Sequence, residues 1–487
     1  MTADALPKTA NSRDWREIAA DLQAIVDTRF VIDDEEMTRP YECDGLSAYR
    51  EMPNVVVIPN AVDEVCEVMR YFHARAIPVV TRGAGTGLCA GAMPHPEGIV
   101  LSMAKFTKIL EIDPDSRIAR VESGVRNLAI SDAAAPYGLF YAPDPSSQIA
   151  CTIGGNVAEN SGGVHCLKYG LTVHNVLEVQ LVTMTGEQVC IGSEALDGCG
   201  LDLLALLIGS EGMLGVVTEV TVKLLPCPQA ARVVMASFDD VQKAGDAVSR
   251  IISEGIIPAG LEMMDQLAIV AAEDFVHAGY PVEAEALLLC ELDGDERVVQ
   301  EYAQRVEELM RELGAFQVRV SKTEEEKELF WKGRKSAFPA IGRISPDYYC
   351  MDGTIPRKRL AQVLSAMQEM SATYDLRVAN VFHAGDGNLH PLILFDANVP
   401  GEFERAEAFG AAILELCVEV GGCITGEHGV GLEKIRQVPL QFTEEELVQL
   451  GLIKLAFDGD ELLNPGKGIP ILRRCQEYRS LPHGGKP

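Results

Sequence analysis

The chain has 487 residues, a hydrophobic content of 47% and a formal net charge of −30 at pH 7. This length predicts two or three domains rather than a single core. The negative charge argues against nucleic acid as a partner, because phosphates would be repelled. The 13 cysteines include no C-x-x-C pair, which favours reduced thiols and offers no iron–sulfur ligand set.

Targeting and membrane signals are not visible in the sequence. Residues 1–20 include Asp, Lys, Arg and Glu, and they contain no apolar stretch typical of a signal peptide. No apolar run approaches the roughly 20 residues that a membrane helix needs. We therefore expect a cytoplasmic protein with no membrane span, whose membrane association, if any, is peripheral or through another subunit.

The first 230 residues alternate between helical and extended patterns. The pattern predicts an amphipathic helix over residues 15–30, strands at 55–59 and 77–80, a helix at 62–75 between them, and later strands near 99–101, 118–121, 177–183 and 216–225. A strand, a helix, a strand and then a glycine loop form a βαβ-like opening. Pro226-Cys-Pro228 marks a predicted domain boundary.

A second region of mixed pattern follows this boundary. It is predicted to contain strands at 232–237, 287–292 and 317–321 and helices at 241–254 and 296–313, which indicate a smaller αβ-sandwich domain. From Phe403 onward the chain is predicted to be mostly helical, and it ends in a polar tail.

The loop Thr81-Arg-Gly-Ala-Gly-Thr-Gly-Leu88 has the G-x-G spacing of dinucleotide sites. A Rossmann site needs a long helix directly after the glycines, which Gly91, Pro94 and Pro96 forbid. The loop can still bind phosphate, because consecutive N–H groups of a glycine-rich backbone form an anion nest. Arg82 either adds a positive charge there or is a surface residue.

Two further segments combine small and polar residues, at 142–163 and 209–215. In the first, Ile153, Val157 and Ala158 interleave with Gly, Asn, Ser and Thr. This pattern favours a polypeptide that wraps a flat cofactor with polar edges, and the alternative is a flexible loop.

Two histidines flank a turn in His383-Ala-Gly-Asp-Gly-Asn-Leu-His390. Residues 378–382 and 391–395 are predicted strands, and Gly, Asp and Asn between them are typical of a hairpin. A hairpin would place His383 and His390 on facing strands, where they could share one divalent metal. The alternative is a pair of structural histidines that only form hydrogen bonds.

A second cluster, Thr425-Gly-Glu-His-Gly-Val-Gly431, favours the metal interpretation. Glu427 offers an anionic oxygen ligand and His428 offers a base. A set of His, His and Glu suits zinc or manganese with positions left open for substrate. Adjacent residues in an extended strand point to opposite faces, so Glu427 and His428 can line one site only if the backbone turns.

These motifs together resemble a known family. In order, they are Arg82-Gly-Ala-Gly-Thr-Gly87, Pro143-Asp-Pro-Ser146, Gly154-Gly-Asn156, Gly209-Ser-Glu-Gly212, the His383–His390 hairpin, Gly426-Glu-His-Gly429 and Asn464-Pro465. The order resembles the flavin-linked 2-hydroxyacid dehydrogenases of the vanillyl-alcohol oxidase / p-cresol methylhydroxylase fold. Trp331-Lys-Gly-Arg334 and residues 346–356 are most similar to the FAD-binding subunits of bacterial glycolate oxidases.

The resemblance implies an α+β fold. It implies an N-terminal helical segment at 1–50 and a p-cresol methylhydroxylase-type FAD-binding domain of two α+β subdomains at 51–228. A ferredoxin-like αβ-sandwich cap domain would span 229–420, and a helical C-terminal segment at 421–487 would return to the FAD site.

The resemblance also implies one FAD and its contacts. Residues Arg82, Gly83, Ala84, Gly85, Thr86 and Gly87 would hold the pyrophosphate, and Pro143, Asp144, Thr152, Gly154, Asn156 and Gly162 would line the flavin and ribityl chain. Val216 would approach the adenine side, and Asn464 would return to the ring. The glycine loop has no histidine for covalent attachment, so we expect non-covalent FAD.

The implied chemistry is oxidation of glycolate, or of a related small D-2-hydroxyacid such as D-lactate, by hydride transfer to flavin N5. His383, His390 and Glu427 would be the ligands of zinc or manganese, His428 the general base, and Arg334 the residue that binds the substrate carboxylate. Where relatives acting on larger acids carry a lysine, this chain has Cys350 or Met351, which fits a smaller substrate.

The resemblance implies that electrons pass to further flavin and iron–sulfur subunits or to a quinone. Through such subunits the protein would associate peripherally with the inner face of the cell membrane. The alternative function is a flavin-carrying assembly subunit without catalysis.

Overall fold

A computed structural model describes residues 13–195, 198 and 200–470. Over these residues the strands form sheets of four, five and seven strands and two short two-stranded pairs. The ends of the expected N-terminal and C-terminal segments, residues 1–12 and 471–487, lie outside the described part. The cysteines that the structure describes are free.

The first sheet lies in the N-terminal part of the chain. Its elements are α1 (Trp15–Leu22), β1 (Val31–Ile32), α2 (Glu35–Thr38), β2 (Val56–Val57), α3 (Val62–Ala74), β3 (Val79–Arg82) and β4 (Ile99–Ser102), with strand order β1-β2-β4-β3. Strands β2, β4 and β3 are parallel, and α3 buries Val65, Val68, Met69 and Phe72 at helical spacing. The βαβ-like opening is confirmed.

The predicted helix over residues 15–30 is wrong beyond Leu22. The Asp27 side chain accepts a hydrogen bond from the backbone N of Arg29 at 3.0 Å and caps a short 3-10 turn. Such local bonding from Asp competes with helix continuation.

The second sheet is antiparallel, with strand order β5-β6-β10-β8-β9. Its region contains β5 (Ile109–Asp113), β6 (Ile118–Glu122), α4 (Asn127–Ala134), β7 (Leu139–Phe140), α5 (Ile153–Glu159), α6 (Cys166–Tyr169), β8 (Val176–Val182), β9 (Gln188–Gly192), α7 (Leu203–Leu207), β10 (Val216–Lys223) and β11 (Leu225–Pro226). Part of the segment expected to be an irregular wrap is therefore a helix, α5.

The third sheet has seven strands in the order β15-β12-β14-β13-β18-β20-β16. The region contains β12 (Ala230–Phe238), α8 (Val241–Ser253), β13 (Gly260–Asp265), α9 (Gln266–Val276), β14 (Ala286–Gly294), α10 (Glu296–Glu312), β15 (Gln317–Val320), α11 (Glu324–Lys335), α12 (Ala337–Ile341), β16 (Asp347–Cys350), β17 (Gly353–Thr354), α13 (Leu360–Tyr374), β18 (Val378–Phe382), β19 (Asn388–Leu389), β20 (Pro391–Phe395) and α14 (Glu402–Glu419).

Helices cover both faces of this third sheet. One face packs against α8, α10, α13 and α14, and the other packs against α9, α11 and α12. Strands β18 and β20 pair antiparallel with Asn380 opposite Pro391, so the predicted hairpin is confirmed. The sheet is larger than the three-stranded pattern expected from the sequence.

The C-terminal part contains α15 (Val438–Gln441) and α16 (Glu444–Phe457), and then returns to the first sheet. Leu462 and Leu463 pack into the core beneath that sheet. The backbone N of Asn464 donates to the carbonyl of Val79 at 2.8 Å. None of the helices in the described ranges is long and apolar enough to cross a membrane.

Candidate active site

A cleft with about 1300 Å³ of empty space runs between the first two sheets. The predicted cofactor residues that line it are Gly83, Ala84, Gly85, Thr86, Gly87, Thr152, Gly154 and Asn156. Glu427 and His428 line the same cleft. Three separate glycine-rich segments, the third at 209–215, therefore share one cavity with these two residues of the proposed catalytic cluster.

The glycine loop after β3 is packed too closely for side chains. Gly85 has a φ of +69°, and a Cβ at this position would overlap the guanidinium of Arg82. A Cβ at Gly83 would overlap the Thr152 hydroxyl at the start of α5. The glycines thus bring the loop backbone against its neighbours and leave the cleft side open.

Arg82, which was predicted to hold pyrophosphate, lies beneath this loop. Its side chain is buried, its Nη1 donates to the carbonyl of Cys43 at 2.7 Å, and its guanidinium lies 5.5 Å from the Tyr41 ring centre. Arg82 therefore supports the loop conformation, and a direct phosphate contact stays a prediction.

Helix α5 forms the opposite wall of the cleft. The Thr152 hydroxyl accepts from the backbone N of Gly155 at 3.4 Å and caps the helix. Gly154 lies against Ser123, where a Cβ would approach the Ser123 Cβ to 2.7 Å. The glycines at the start of α5 thus allow close packing, and they are the reason that the helix was missed from the sequence.

Two residues that are predicted to contact flavin also have partners within the protein. The carbonyl of Pro143 accepts from Asn127 Nδ2 at 2.8 Å, and Asp144 pairs with His165 Nδ1 at 2.8 Å. Burial disfavours charge on His165, but Asp144 and Glu291 together outweigh this effect and raise the pKa of His165 well above its usual value. Both contacts with flavin stay predictions.

The other three predicted cofactor positions lie close to the cleft. Val216 is fully buried in the core beneath the first sheet, whereas its neighbour Val217 lines the cleft, because adjacent strand residues face opposite sides. Gly162 faces Glu427, with a Cβ position 2.6 Å from Oε2. Asn464 donates to the carbonyls of Gly91 and Glu211, and both of these residues line the cleft.

The predicted metal ligands converge at one end of the cleft. The Nε2 atom of His390 lies 2.9 Å from Glu427 Oε1, and the Nε2 atom of His383 lies 3.4 Å from the same oxygen. One ligand atom from each of the three residues lies within 4.8 Å of the others. The two imidazoles of the hairpin are perpendicular, with ring centres 5.1 Å apart.

His428 lies directly beside this group. Its ring stacks on His390 with centres 5.0 Å apart and an angle of 9°. The segment 424–431 is not a strand, and the backbone turns so that Glu427 and His428 both face the site. The backbone turn that the sequence analysis requires for Glu427 and His428 to line one site is therefore present.

The charged groups of the cluster shift the pKa values of one another. Burial opposes charge on His383, but Glu262 and Glu427 outweigh it and raise the pKa of His383 well above its usual value. Burial would raise the pKa of Glu427, but hydrogen bonds with His383 and His390 hold it well below its usual range. Burial lowers the pKa of His428 to about 4, so this imidazole is neutral at neutral pH.

Two acidic residues that sequence reasoning did not select support the cluster. Asp352 accepts from backbone N atoms of Gly426, Glu427 and His428. Glu262 pairs with His383 at 2.7 Å and with Arg334 Nη2 at 2.6 Å. Arg334 is 5% exposed, and its guanidinium already pairs with a protein carboxylate. Its binding of a substrate carboxylate therefore stays a prediction.

A second cleft, with about 1060 Å³ of empty space, reaches the cluster from another side. His383 and Glu427 line it together with Thr354, Asp386, Asn388 and Gly426. Glu427 therefore borders both clefts, and the histidine–glutamate group separates them.

Comparison with known proteins agrees with this architecture. Residues 53–192 match the model of an FAD binding domain, and residues 227–468 match that of FAD linked oxidases, C-terminal domain. The structure superposes on p-cresol methylhydroxylase with a TM-score of 0.80 at 16% identity, covering 96% of this chain and 99% of that chain. At this identity the likeness shows the fold alone.

Curated relatives match over nearly the whole chain. Glycolate oxidase subunit GlcD of Escherichia coli (strain K12) is 63% identical over 93% of this chain and 91% of that protein. The subunit of the same name from Bacillus subtilis (strain 168) is 39% identical over 88% and 91%. D-lactate dehydrogenase of Archaeoglobus fulgidus is 34% identical over 88% and 94%.

The fold and the cleft define an FAD-dependent oxidoreductase with a p-cresol methylhydroxylase-type architecture, and the fold class predicted from the sequence is confirmed. The chain belongs to the FAD-linked oxidase family that includes the glycolate oxidase subunits and the related D-lactate dehydrogenases.

Proposed function

We propose that this protein oxidises glycolate, or a closely related small D-2-hydroxyacid, to the 2-oxoacid with FAD as hydride acceptor. One observation carries the proposal: His383, His390, Glu427 and His428 meet at the end of the cleft that the FAD-binding residues line. These groups can bind a hydroxyacid and remove its hydroxyl proton beside a flavin.

FAD is proposed to bind without a covalent link. The loop at 83–87 offers a bare backbone to the cleft and contains no histidine that could attach to the ring. When bound, flavin supplies the acceptor for the hydride, while the protein must orient the substrate and manage the proton.

A divalent metal, zinc or manganese, fits the donor set of His383, His390 and Glu427. Both histidines direct Nε2 toward one carboxylate oxygen of Glu427, and two imidazoles with one carboxylate are a common zinc-binding combination. Such an ion lowers the pKa of a bound hydroxyl group. The hydroxyl and carboxylate oxygens of the substrate would bind at this position.

His428 is proposed as the general base. Its pKa is lowered to about 4 by burial, so the neutral imidazole is available to accept the hydroxyl proton. Its ring stacks on His390, which keeps it beside the proposed position of the hydroxyl group. Arg334 is proposed to help to bind the substrate carboxylate, although Glu262 already holds two of its nitrogen atoms.

The substrate is proposed to be small. Cys350 or Met351 holds the place where relatives acting on larger acids carry a lysine; both are buried, and Cys350 lies near His390 and His428. The relatives named as glycolate oxidase subunits have the higher identities, 63% and 39%, so glycolate is preferred. D-lactate is the second candidate because relatives at 32% and 34% identity carry that activity in their names.

Further subunits are proposed to take the electrons. The relative that is 63% identical is named as a subunit, and this chain has no C-x-x-C pair. A second flavin subunit and an iron–sulfur subunit would continue the electron path. Through them the protein could sit at the inner face of the cell membrane.

The test is a panel of glycolate, D-lactate and L-lactate, mixed anaerobically with the FAD-loaded protein while flavin absorbance is followed. We expect bleaching with glycolate first and D-lactate second. No bleaching with any acid would instead favour an assembly subunit without catalysis. A high yield of peroxide in air, in place of dye reduction, would favour a true oxidase.

A further inference from the structure

We infer that Glu262 is a positioning residue, which fixes the orientation of His383 and links it to Arg334. The inference rests on the metal site of the proposed function and adds residues that the ligand set does not include. Glu262 orients the imidazole of His383 toward the ion, and Arg334 holds the carboxylate of Glu262 in place.

The sheet places Glu262 opposite His383. Strand β13 pairs antiparallel with β18, and Met263 lies opposite Phe382. The next step of this register sets Glu262 opposite His383, and the backbone N of Gly385 donates to the carbonyl of Leu261 at 2.9 Å. Because side chains alternate along a strand, the two residues share the sheet face that α11 covers.

Burial makes this glutamate unusual. Glu262 lies in the apolar stretch Gly260-Leu-Glu-Met-Met-Asp265 and is 1% exposed. A buried carboxylate is costly unless it is paired and hydrogen-bonded. Its two oxygens have different partners: Oε1 lies 2.7 Å from His383 Nδ1, and Oε2 accepts from Arg334 Nε at 2.9 Å.

The contact at Nδ1 decides which nitrogen of His383 faces the metal site. With Nδ1 donating its hydrogen to Glu262, Nε2 is the atom that points toward Glu427, 3.4 Å away. Carboxylates that receive the second N–H of a metal-binding histidine orient the ring and increase its basicity. Without Glu262, the imidazole could rotate and present either nitrogen.

Arg334 holds the carboxylate in place. Its Nη2 and Nε both contact Oε2, so the carboxylate cannot turn away from His383 without breaking this pair. The guanidinium also balances the charge of Glu262 in a place from which water is excluded. Helix α11, which carries Arg334, is thereby connected to the metal-ligand hairpin through one side chain.

The chain provides a matched control in Glu291. This residue lies on the neighbouring strand β14, is 9% exposed and accepts from the indole N–H of Trp331, which also belongs to α11. It is therefore a buried carboxylate that joins the same sheet to the same helix without touching His383.

The experiment measures the affinity of the FAD-loaded protein for Zn²⁺ by competition with a chromogenic chelator. The variants are Glu262→Gln, Glu291→Gln and His383→Ala. We expect Glu262→Gln to bind Zn²⁺ about 10- to 100-fold more weakly, as removal of such outer partners does elsewhere. Glu291→Gln should keep the affinity of the unmodified protein, and His383→Ala should lose the site.

The outcomes separate this inference from the proposed function. Equal Zn²⁺ affinity of Glu262→Gln and the unmodified protein would overturn the role of Glu262 alone. Equal affinity of His383→Ala and the unmodified protein would overturn the metal site and the inference together, whereas glycolate-dependent bleaching tests the oxidation separately. If Glu262→Gln does not fold, the double variant Glu262→Gln/Arg334→Met removes both buried charges and should show the same loss of affinity.

Discussion

The carboxylate of Asp352 accepts a hydrogen bond from the backbone N of His428 at 2.9 Å, and it accepts from the backbone N of Glu427 at 3.2 Å. The same carboxylate binds the hydroxyl of Thr425 at 2.6 Å. One buried acid therefore imposes the turn that lets two adjacent residues, a proposed ligand and a proposed base, face one site. Burial would raise the pKa of Asp352, but His428 and Lys434 lower it to about 2, so it remains a carboxylate.

Replacing Asp352 by Asn should disrupt the site. The new NH₂ group would face backbone N–H donors, and a buried donor without an acceptor costs about 1–3 kcal/mol. We expect loss of glycolate-dependent flavin reduction with FAD still bound, measured by anaerobic stopped-flow absorbance. Asp265→Asn is the matched control, because Asp265 also accepts backbone and side-chain donors in the buried sheet but contacts Asn380 rather than the site. Equal reduction rates in the two variants would contradict this role.

Replacing His428 by Ala should abolish the proton acceptor without removing a proposed metal ligand. General-base catalysis typically contributes about 10²- to 10⁴-fold, so we expect flavin reduction to slow by that range. The measurement is the rate of anaerobic flavin bleaching at saturating glycolate, with FAD content checked by absorbance. His73→Ala is the control, since His73 lies on the outer side of α3 and pairs with Asp460. Unchanged bleaching in His428→Ala would reject the assignment as base.

His428 should also affect stability as the pH falls. Its pKa drops from 6.5 to about 4 in the folded metal-free protein, because burial and the electrostatic effects of His390 and Lys434 outweigh those of Asp352 and Glu427. Between these values the unfolded chain binds a proton that the folded chain does not, so the free energy of unfolding decreases as pH falls from 6.5 to 4.

The size of this effect can be isolated with His428→Gln, which does not titrate. From pH 7 to pH 4.5, urea unfolding of the unmodified protein should lose about 2 kcal/mol more than the variant. The full contribution should be present above pH 6.5. Parallel stability curves for the two proteins would show that His428 has an ordinary pKa.

Local sequence pattern was enough to predict the hairpin and the positions of many of the strands. Gly387 has a φ of +87° at the turn, and β18 and β20 have the bounds 378–382 and 391–395 that the sequence predicts. Helix α5 was missed because Gly154, Gly155 and Asn156 are poor helix formers, and the Thr152 cap and burial of Ile153 and Val157 outweigh that preference.

Long-range partners could not be predicted from local pattern. Glu262 is separated from His383 by 121 residues and Asp352 from His428 by 76, so only the tertiary fold brings each pair together. A single charged residue within an apolar strand sequence is the signal that could have identified Glu262, because a buried charge requires a partner. For Arg82 and Arg334, local pattern could not reveal that protein groups already bind their guanidinium N–H groups.

The Arg334–Glu262 pair should behave as a coupled unit in folding. Removing one partner leaves an uncompensated buried charge, so Arg334→Met and Glu262→Gln should each destabilise by about 3–5 kcal/mol. The double variant should be more stable than the sum of the single effects predicts, measured by urea unfolding without FAD. The pair Arg305–Glu254 has similar two-point geometry, but Arg305 is 35% exposed, so solvent screening should leave its cycle with a much smaller coupling than that of Arg334 and Glu262. Additive effects at Arg334 and Glu262 would contradict the coupling.

Gly85 offers a test of the cofactor loop that separates backbone strain from the shape of the cleft. Gly85 and Gly138 both have a φ of +69°, so alanine at either position costs about 1–2 kcal/mol through the left-handed backbone. A Cβ at Gly138 meets no atom within 4 Å, whereas a Cβ at Gly85 overlaps the Arg82 guanidinium that supports the loop. Gly85→Ala should therefore weaken FAD binding, measured by flavin fluorescence titration of the apoprotein, while Gly138→Ala lowers only the free energy of unfolding. If both variants bound FAD as tightly as the unmodified protein, the loop at 83–87 would not be the part of the cleft that holds the cofactor.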